Sequence, residues 1–208
     1  MRVEAIEPIG AGSERFRLRL DNGTTLKVYP SVIAEMGLYP GQELPEAAMA
    51  SLLDACGAAS AKERAVRIIS SASVSARELE ERLVRKGEDA EHSRAAVQWL
   101  TDLRLLDDRQ LAAQVVRNGL AKGYGAARIR QMLYEKRVPR ELWDEALAEL
   151  PSQDGAIDDF LRRRFRGKAP DRAECKRATD ALLRRGHRWE DIRRALERYA
   201  PEEDFSEE

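Results

Sequence analysis

The sequence is poor in the residues that carry chemistry. Only two cysteines and two histidines occur among its 208 residues. Cys56 and Cys175 stand alone, with no CxxC pair, which excludes a disulfide-stapled scaffold and suits a reduced, cytoplasmic protein. His92 and His187 have no cysteine or histidine at ligand spacing, so no zinc site is expected. Neither cysteine has a histidine beside it to make a nucleophile, and no GxxxxGK[ST] loop is present to cradle a phosphate. Asp107 and Asp108 have the chemistry of metal ligands, but a helix start ahead of a basic helix explains them better. No apolar run approaches the roughly 18 residues of a membrane span, and the opening MRVEAIEPIG lacks the layout of a secretion signal. The expectation is a protein with no catalytic site, metal or cofactor and no membrane association.

What the chain does contain is charge and helix-forming residues. Charged residues make up 35% of it and aromatics 6%. With Ala, Leu, Arg and Glu abundant, that balance predicts solvated helices and not a β-sandwich. The net charge of −1 hides strong blocks. Residues 1–108 carry 14 basic and 18 acidic side chains, and residues 109–140 carry 8 and 1. Residues 141–159 hold 7 acids and no base, and residues 160–198 hold 14 bases and 6 acids. The plain reading of any one block is a solvated helix face. Two basic blocks recurring at related places suggest an anionic partner as well.

Residues 1–45 read as a small β module. Phe16–Leu20 and Thr24–Tyr29 alternate with period two around Asp21-Asn22-Gly23, a hairpin signal because Asn and Gly both tolerate positive φ. Arg2–Ile6 supplies a third strand, and Pro30 to Pro45 is turn-rich. From Ala47 onward the pattern is helical and repeats. Leu79 and Leu83 align with Ile129 and Leu133 at a shift of 50. A further shift of 63 places these on Ile192 and Leu196, and maps Lys122-Gly123 onto Arg185-Gly186. These apolar positions are core. Ser60 with Glu63, and Ser75 with Glu78, read as capping boxes that open the first two helices of the first unit. Asp107 or Asp108 opens the second unit, and Pro139 suits the first turn of its third helix. Trp99, Trp143 and Trp189 fall within helical stretches, where packing is the default role.

The expected fold is mainly α: three tandem three-helix repeats in an elongated array, with a small N-terminal β-hairpin module. The boundaries are 1–45 for the module, 46–108, 109–153 and 154–200 for the repeats, and 201–208 for an acidic tail. A unit of about 50 residues buries little surface alone, so neighbouring units should stack.

Leu103-Arg-Leu-Leu-Asp-Asp108, Ala112–Arg117, Lys122-Gly-Tyr-Gly125 and Arg128–Leu133 together resemble the central signature of the RecX family, and Ser75–Gly87 is similar to that family's first-repeat motif. The likeness spans roughly residues 60–200. Ala126 stands where a proline is usual, Arg137-Val138 replaces the common Gly-Ile, and only part of the family has an N-terminal β module. The resemblance implies tandem three-helix repeats in a non-enzymatic regulator of the RecA recombinase. Such a protein lodges in the RecA–single-stranded DNA filament and limits its growth, ATP turnover and strand exchange.

The partners implied are the RecA filament and single-stranded DNA, met directly or through the filament. No long heptad run is visible, so a monomer is expected. The candidate contact residues are Lys122, Tyr124, Arg128 and Arg130 at an inter-helix corner, Arg162, Arg163 and Arg166 in a basic run, and Arg185 and Arg188 in the last repeat. Gly123 and Gly125 read as a helix stop and an N-cap. Tyr124 either stacks on a partner or covers the corner. Three consecutive arginines on a helix point in three directions, so not all of them reach one partner. A stand-alone nucleic-acid-binding helical module is the alternative; it predicts tight, steeply salt-dependent binding to naked DNA.

Overall fold

The computed structural model describes residues 1–10, 14–148 and 150–199, which form two compact units, Met1–Leu106 and one beginning at Asp107. The acidic segment 201–208 lies outside the described residues.

The first unit opens with a three-stranded antiparallel sheet, β1 (Val3–Pro8), β2 (Phe16–Leu20) and β3 (Thr25–Val28), in the order β1-β2-β3. Alternation sets its faces: Leu18 and Leu20 are buried while Arg17 and Arg19 are exposed. The hairpin turn differs from the two-residue type, since among its residues only Gly23 has a positive φ, +82°. The Gly23 amide donates to the Leu20 carbonyl (3.0 Å) and the Leu20 amide to the Thr24 carbonyl (2.9 Å). This is a three-residue loop in which Gly takes the left-handed position. The segment after β3 also contains a short helix, α1 (Pro30–Glu35), with Pro30 at its first turn.

The long helix α2 (Glu46–Ser71) carries two cores. Its first half gives Leu52 to the core under the sheet, with Val3, Leu20, Val28 and Val32. Its second half gives Ala61, Ala65 and Ile68 to a second core, with Leu79 and Leu83 of α3 (Ala76–Arg85) and Ala96 and Leu100 of α4 (Ala90–Asp102). Ser60 therefore does not cap a helix. It lies inside α2, and its hydroxyl donates to Glu88 (3.0 Å). The Ser-x-x-Glu pattern is degenerate here because α2 packs against a core on either side of it and runs on through Gly57 and Ser60. Ser75 does cap α3, its hydroxyl oxygen accepting from the Glu78 amide at 3.1 Å. Asp89 caps α4.

The second unit holds two helix triplets. The first is α5 (Asp108–Ala121, capped by Asp107), α6 (Ala126–Glu135), and a 3-10 turn at Arg140–Leu142 leading into α7 (Trp143–Ala148). Its core joins Leu111, Val115, Ile129, Leu133 and Leu147. The second is α8 (Asp154–Phe165), α9 (Arg172–Arg184) and α10 (Trp189–Leu196), around Ile157, Leu161, Leu182, Ile192 and Leu196.

One punctuation mark recurs in all three triplets. The second helix ends at Lys86, Lys136 or Arg185. A left-handed residue follows, Gly87 (φ +89°), Arg137 (+55°) or Gly186 (+85°), and the next N-cap is Asp89, Pro139 or Arg188. This register pairs α6 with α9, and so corrects the shift of 63. Ile129 and Leu133 lie on a second helix, whereas Ile192 and Leu196 lie on a third. Both helices present two apolar residues four apart, and that spacing alone does not tell a second helix from a third.

Candidate functional site: a cationic cleft in the second unit

Gly125 begins α6 with no side-chain cap. The orphan amides of that helix end find partners in the other triplet. The Gly125 amide donates to the Arg185 carbonyl (2.8 Å) and the Ala127 amide to the Gly186 carbonyl (3.2 Å). The backbones meet so closely that a Cβ on Gly125 would lie 2.2 Å from the Gly186 oxygen, and one on Gly186 2.2 Å from the Arg128 nitrogen. The serine found at the equivalent cap of α3 would not fit here. His187 closes the joint. It is only 5% exposed, and its Nε2–H donates to the Gly123 carbonyl at 3.1 Å. Its Nδ1 is buried without a partner among the described residues. Burial pushes the imidazole pKa down, opposed by the Gly123 hydrogen bond and reinforced by the charge of Arg185.

This joint places Lys122 and Arg185, one at the end of each of two helices, on a common cleft of about 600 Å³ whose lining includes Arg163, Arg164 and Arg166 of α8 and its terminus. Five cations face a single carboxylate, Asp159. Asp159 is shared by Arg162 (3.3 Å) and Arg163 (3.9 Å). Among the described residues Lys122, Arg164 and Arg166 make no ion pair. Arg185 lies over the Phe160 ring, 4.7 Å from its centroid, which holds the guanidinium in place without cancelling its charge. Arg166 ends α8 in the left-handed region (φ +51°), a conformation that costs a non-glycine residue roughly 1 kcal/mol or more.

The sequence-derived candidates therefore divide. Lys122, Arg163, Arg166 and Arg185 line one cleft. Arg162 is on the same helix but is not among the lining residues. Arg128 packs against Gly186 and pairs with Glu135 at 3.3 Å. Arg130 and Arg188 are exposed outside the cleft lining. Tyr124 is partly buried against the α5–α7 core, the covering role. Arg185 and Arg188 are not the repeat counterparts of Lys122 and Arg128; Arg185 is instead a spatial neighbour of Lys122. Sequence reasoning singled out the basic run that contains Arg164 without naming that residue as a contact, and missed Phe160 as a liner. The signal for both lay in α8, where Phe160 and Arg164 are four residues apart and so share a face. Of the tryptophans, Trp143 donates its indole N–H to the Val138 carbonyl (3.0 Å) and Trp99 packs on the α2–α4 core, while Trp189 is 40% exposed.

Among the described residues no group of three or more metal-binding side chains occurs, and no helix is long and apolar enough to cross a membrane. A family model described as the second three-helix domain of RecX matches residues 107–147, the α5–α7 triplet. A Regulatory protein RecX from Vibrio campbellii is 34% identical over 139 residues, which are 66% of this chain and 90% of the relative. The chain belongs to the RecX family. A second Regulatory protein RecX, from Xanthomonas axonopodis pv. citri, is 35% identical over 135 residues, 64% of this chain and 83% of the relative. A crystal structure of a regulatory protein RecX shares the fold at a TM-score of 0.71 and 22% identity, covering 94% of this chain and 98% of that one. The helical triplets are thus the RecX architecture, and the cationic cleft lies in the unit that holds the second RecX three-helix domain.

Proposed function

We propose that the chain is a cytoplasmic, monomeric regulator that binds the RecA–single-stranded DNA filament and limits its growth, ATP hydrolysis and strand exchange, with no catalysis or cofactor of its own. The observation that carries this is the cleft with five cations against one carboxylate, in a chain of the RecX regulatory family. Clustered guanidinium groups with few internal acids bind phosphate backbones by releasing counterions, and do so without reading bases. In this reading the contact set is Lys122, Arg163, Arg164, Arg166 and Arg185, with Arg128, Arg130, Arg162 and Arg188 as outer cations and Tyr124 as support. The chain works as a β module at 1–45 followed by repeats at 46–108, 109–153 and 154–200.

The test is RecA ATPase and strand exchange on single-stranded DNA with increasing amounts of this protein. Inhibition at substoichiometric amounts is expected, and it should be lost in Arg164→Glu/Arg166→Glu. Full RecA activity at equimolar protein refutes the reading. Tight binding to naked DNA without any effect on RecA would instead favour a stand-alone nucleic-acid-binding module.

A further inference from the structure

A cavity in the first unit has the opposite character to the cationic cleft. It is an open groove of about 1220 Å³ between α1 and α2, reaching as far as Trp99 of α4. Its floor is apolar and low. Ala55, Ala58 and Ala59 of α2 form a flat strip, with Met36, Val66 and Trp99 along its edges. Four carboxylates and one ammonium line it, namely Glu14, Glu35, Asp54 and Glu63 against Lys62. Glu63 is tied to Arg15 at 2.6 Å and to Arg67, and the Lys62 ammonium sits over the Trp99 ring, 5.4 Å from its centroid. Asp54 holds His92 at 3.0 Å, and Glu14 and Glu35 make no ion pair among the described residues. Glu14, Glu35 and Asp54 are all exposed.

From this groove we infer a docking site for a protein segment that is apolar along one side and carries lysine or arginine along its margins, most simply a basic amphipathic helix. Charge decides between occupants. The acidic rim repels phosphate, so the groove is not an extension of the nucleic-acid cleft. Its volume exceeds the roughly 300–1,000 Å³ of small-molecule pockets. A strip of alanines lets a second helix approach closely, and Met36, Val66 and Trp99 offer the edges against which larger side chains pack. The exposed carboxylates of Glu35 and Asp54 would meet the partner's cations at the margin, setting orientation and speeding encounter more than adding affinity. The N-terminal module thereby acquires a role, because α1 within it builds one wall of a protein-binding groove. The inference stands apart from the filament reading, because it concerns the other unit and the opposite charge.

The test uses the full chain and a labelled Leu/Arg amphipathic peptide of about 14 residues, roughly 21 Å long as a helix, with a Leu/Glu peptide of the same pattern as control. Two variants are compared with the native chain: Ala50→Trp, which fills the groove from an exposed position, and the surface charge reversal Glu35→Lys/Asp54→Lys. Both should lose about tenfold in affinity for the Leu/Arg peptide while keeping the native affinity for single-stranded DNA. The Leu/Glu peptide should not bind. Native-like peptide binding by both variants would overturn the proposal, as would equal binding of the Leu/Glu peptide or a parallel loss of DNA affinity. Self-association of the native chain that both variants abolish, seen by sedimentation, would make a second copy the occupant and also overturn it. Peptide binding at this groove in a chain without effect on RecA would leave the inference standing and remove only the filament reading.

Discussion

Three residues concentrate the physics of the second unit. Gly125 is needed for space and not for conformation: its φ of −79° suits any residue, but a Cβ would overlap the Gly186 carbonyl. Gly123 is the reverse, with φ +65° and open space around it. Gly125→Ala should therefore destabilise through overpacking, by about 1–3 kcal/mol, and Gly123→Ala by about 1 kcal/mol through backbone strain alone. Urea midpoints of the two variants check this, and a Gly123→Ala loss larger than that of Gly125→Ala would contradict the joint. His187 makes the joint sensitive to acid. With Nε2–H committed to the Gly123 carbonyl, protonation would put a donor on Nδ1, which has no partner. The folded-state pKa lies below the ordinary value, so the unfolded chain takes up the proton first. Stability is intact above about pH 6.5 and falls as the pH drops through the lowered folded value. Urea midpoints measured from pH 8 to pH 5 should decline in the native chain and less in His187→Gln.

Arg166 and Arg137 hold left-handed positions at helix ends where glycine is the usual choice. At Arg137 the backbone is held at φ +55°, a conformation that a side chain with a Cβ adopts only at a cost. Replacing either by glycine should raise stability by up to about 1 kcal/mol. Only Arg166→Gly, which removes a cleft cation, should also weaken binding to single-stranded DNA. Thermal melts and a fluorescence anisotropy titration separate the two effects. Equal loss of DNA binding in both variants would mean that the cleft is not the contact.

At the scale of elements, the legible features were those set by local chemistry. The strand alternation of Phe16–Leu20, the Ser75 and Asp107 caps and the stop at Lys122-Gly123 all follow from side chains a few residues apart. What stayed hidden depends on distant partners. α2 runs through the Ser60–Glu63 pattern because its two halves bury against two different cores, and no window of sequence shows that. Gly125 was legible as the N-cap of α6, but the backbone of another triplet that takes up that helix end was not. The cleft was half legible. Its cations were visible as basic blocks, but which of them converge depends on the α6–α9 joint, and the shift of 63 had made counterparts of two turns that are in fact neighbours. A contrast between caps follows. Ser75→Ala, which removes a buried side-chain cap, should cost about 1 kcal/mol with no change in DNA binding, as a melting curve and a titration would show.

Over the whole molecule, charge is segregated in local blocks, and each unit has a cavity whose lining is mostly of one sign. The first unit carries an acidic, apolar groove and the second a cationic cleft, and this explains why the near-zero net charge says so little. A uniformly basic chain would bind any polyanion; with a net charge of −1 this chain does not, and affinity has to come from the local cleft. The salt dependence measures how many cations take part. If the five cleft cations displace counterions from a single strand, the logarithm of the binding constant should fall with the logarithm of salt at a slope of about −3.5. Removing Arg164 and Arg166 together as alanines should bring that slope to about −2. The Arg109–Glu145 pair of the same unit, bonded at 2.9 Å and outside the cleft, supplies the control: Arg109→Ala should leave the slope where it was. A slope near −3.5 that survives the loss of Arg164 and Arg166 would move the nucleic-acid contact to another face, and with it the account of how this chain meets the filament.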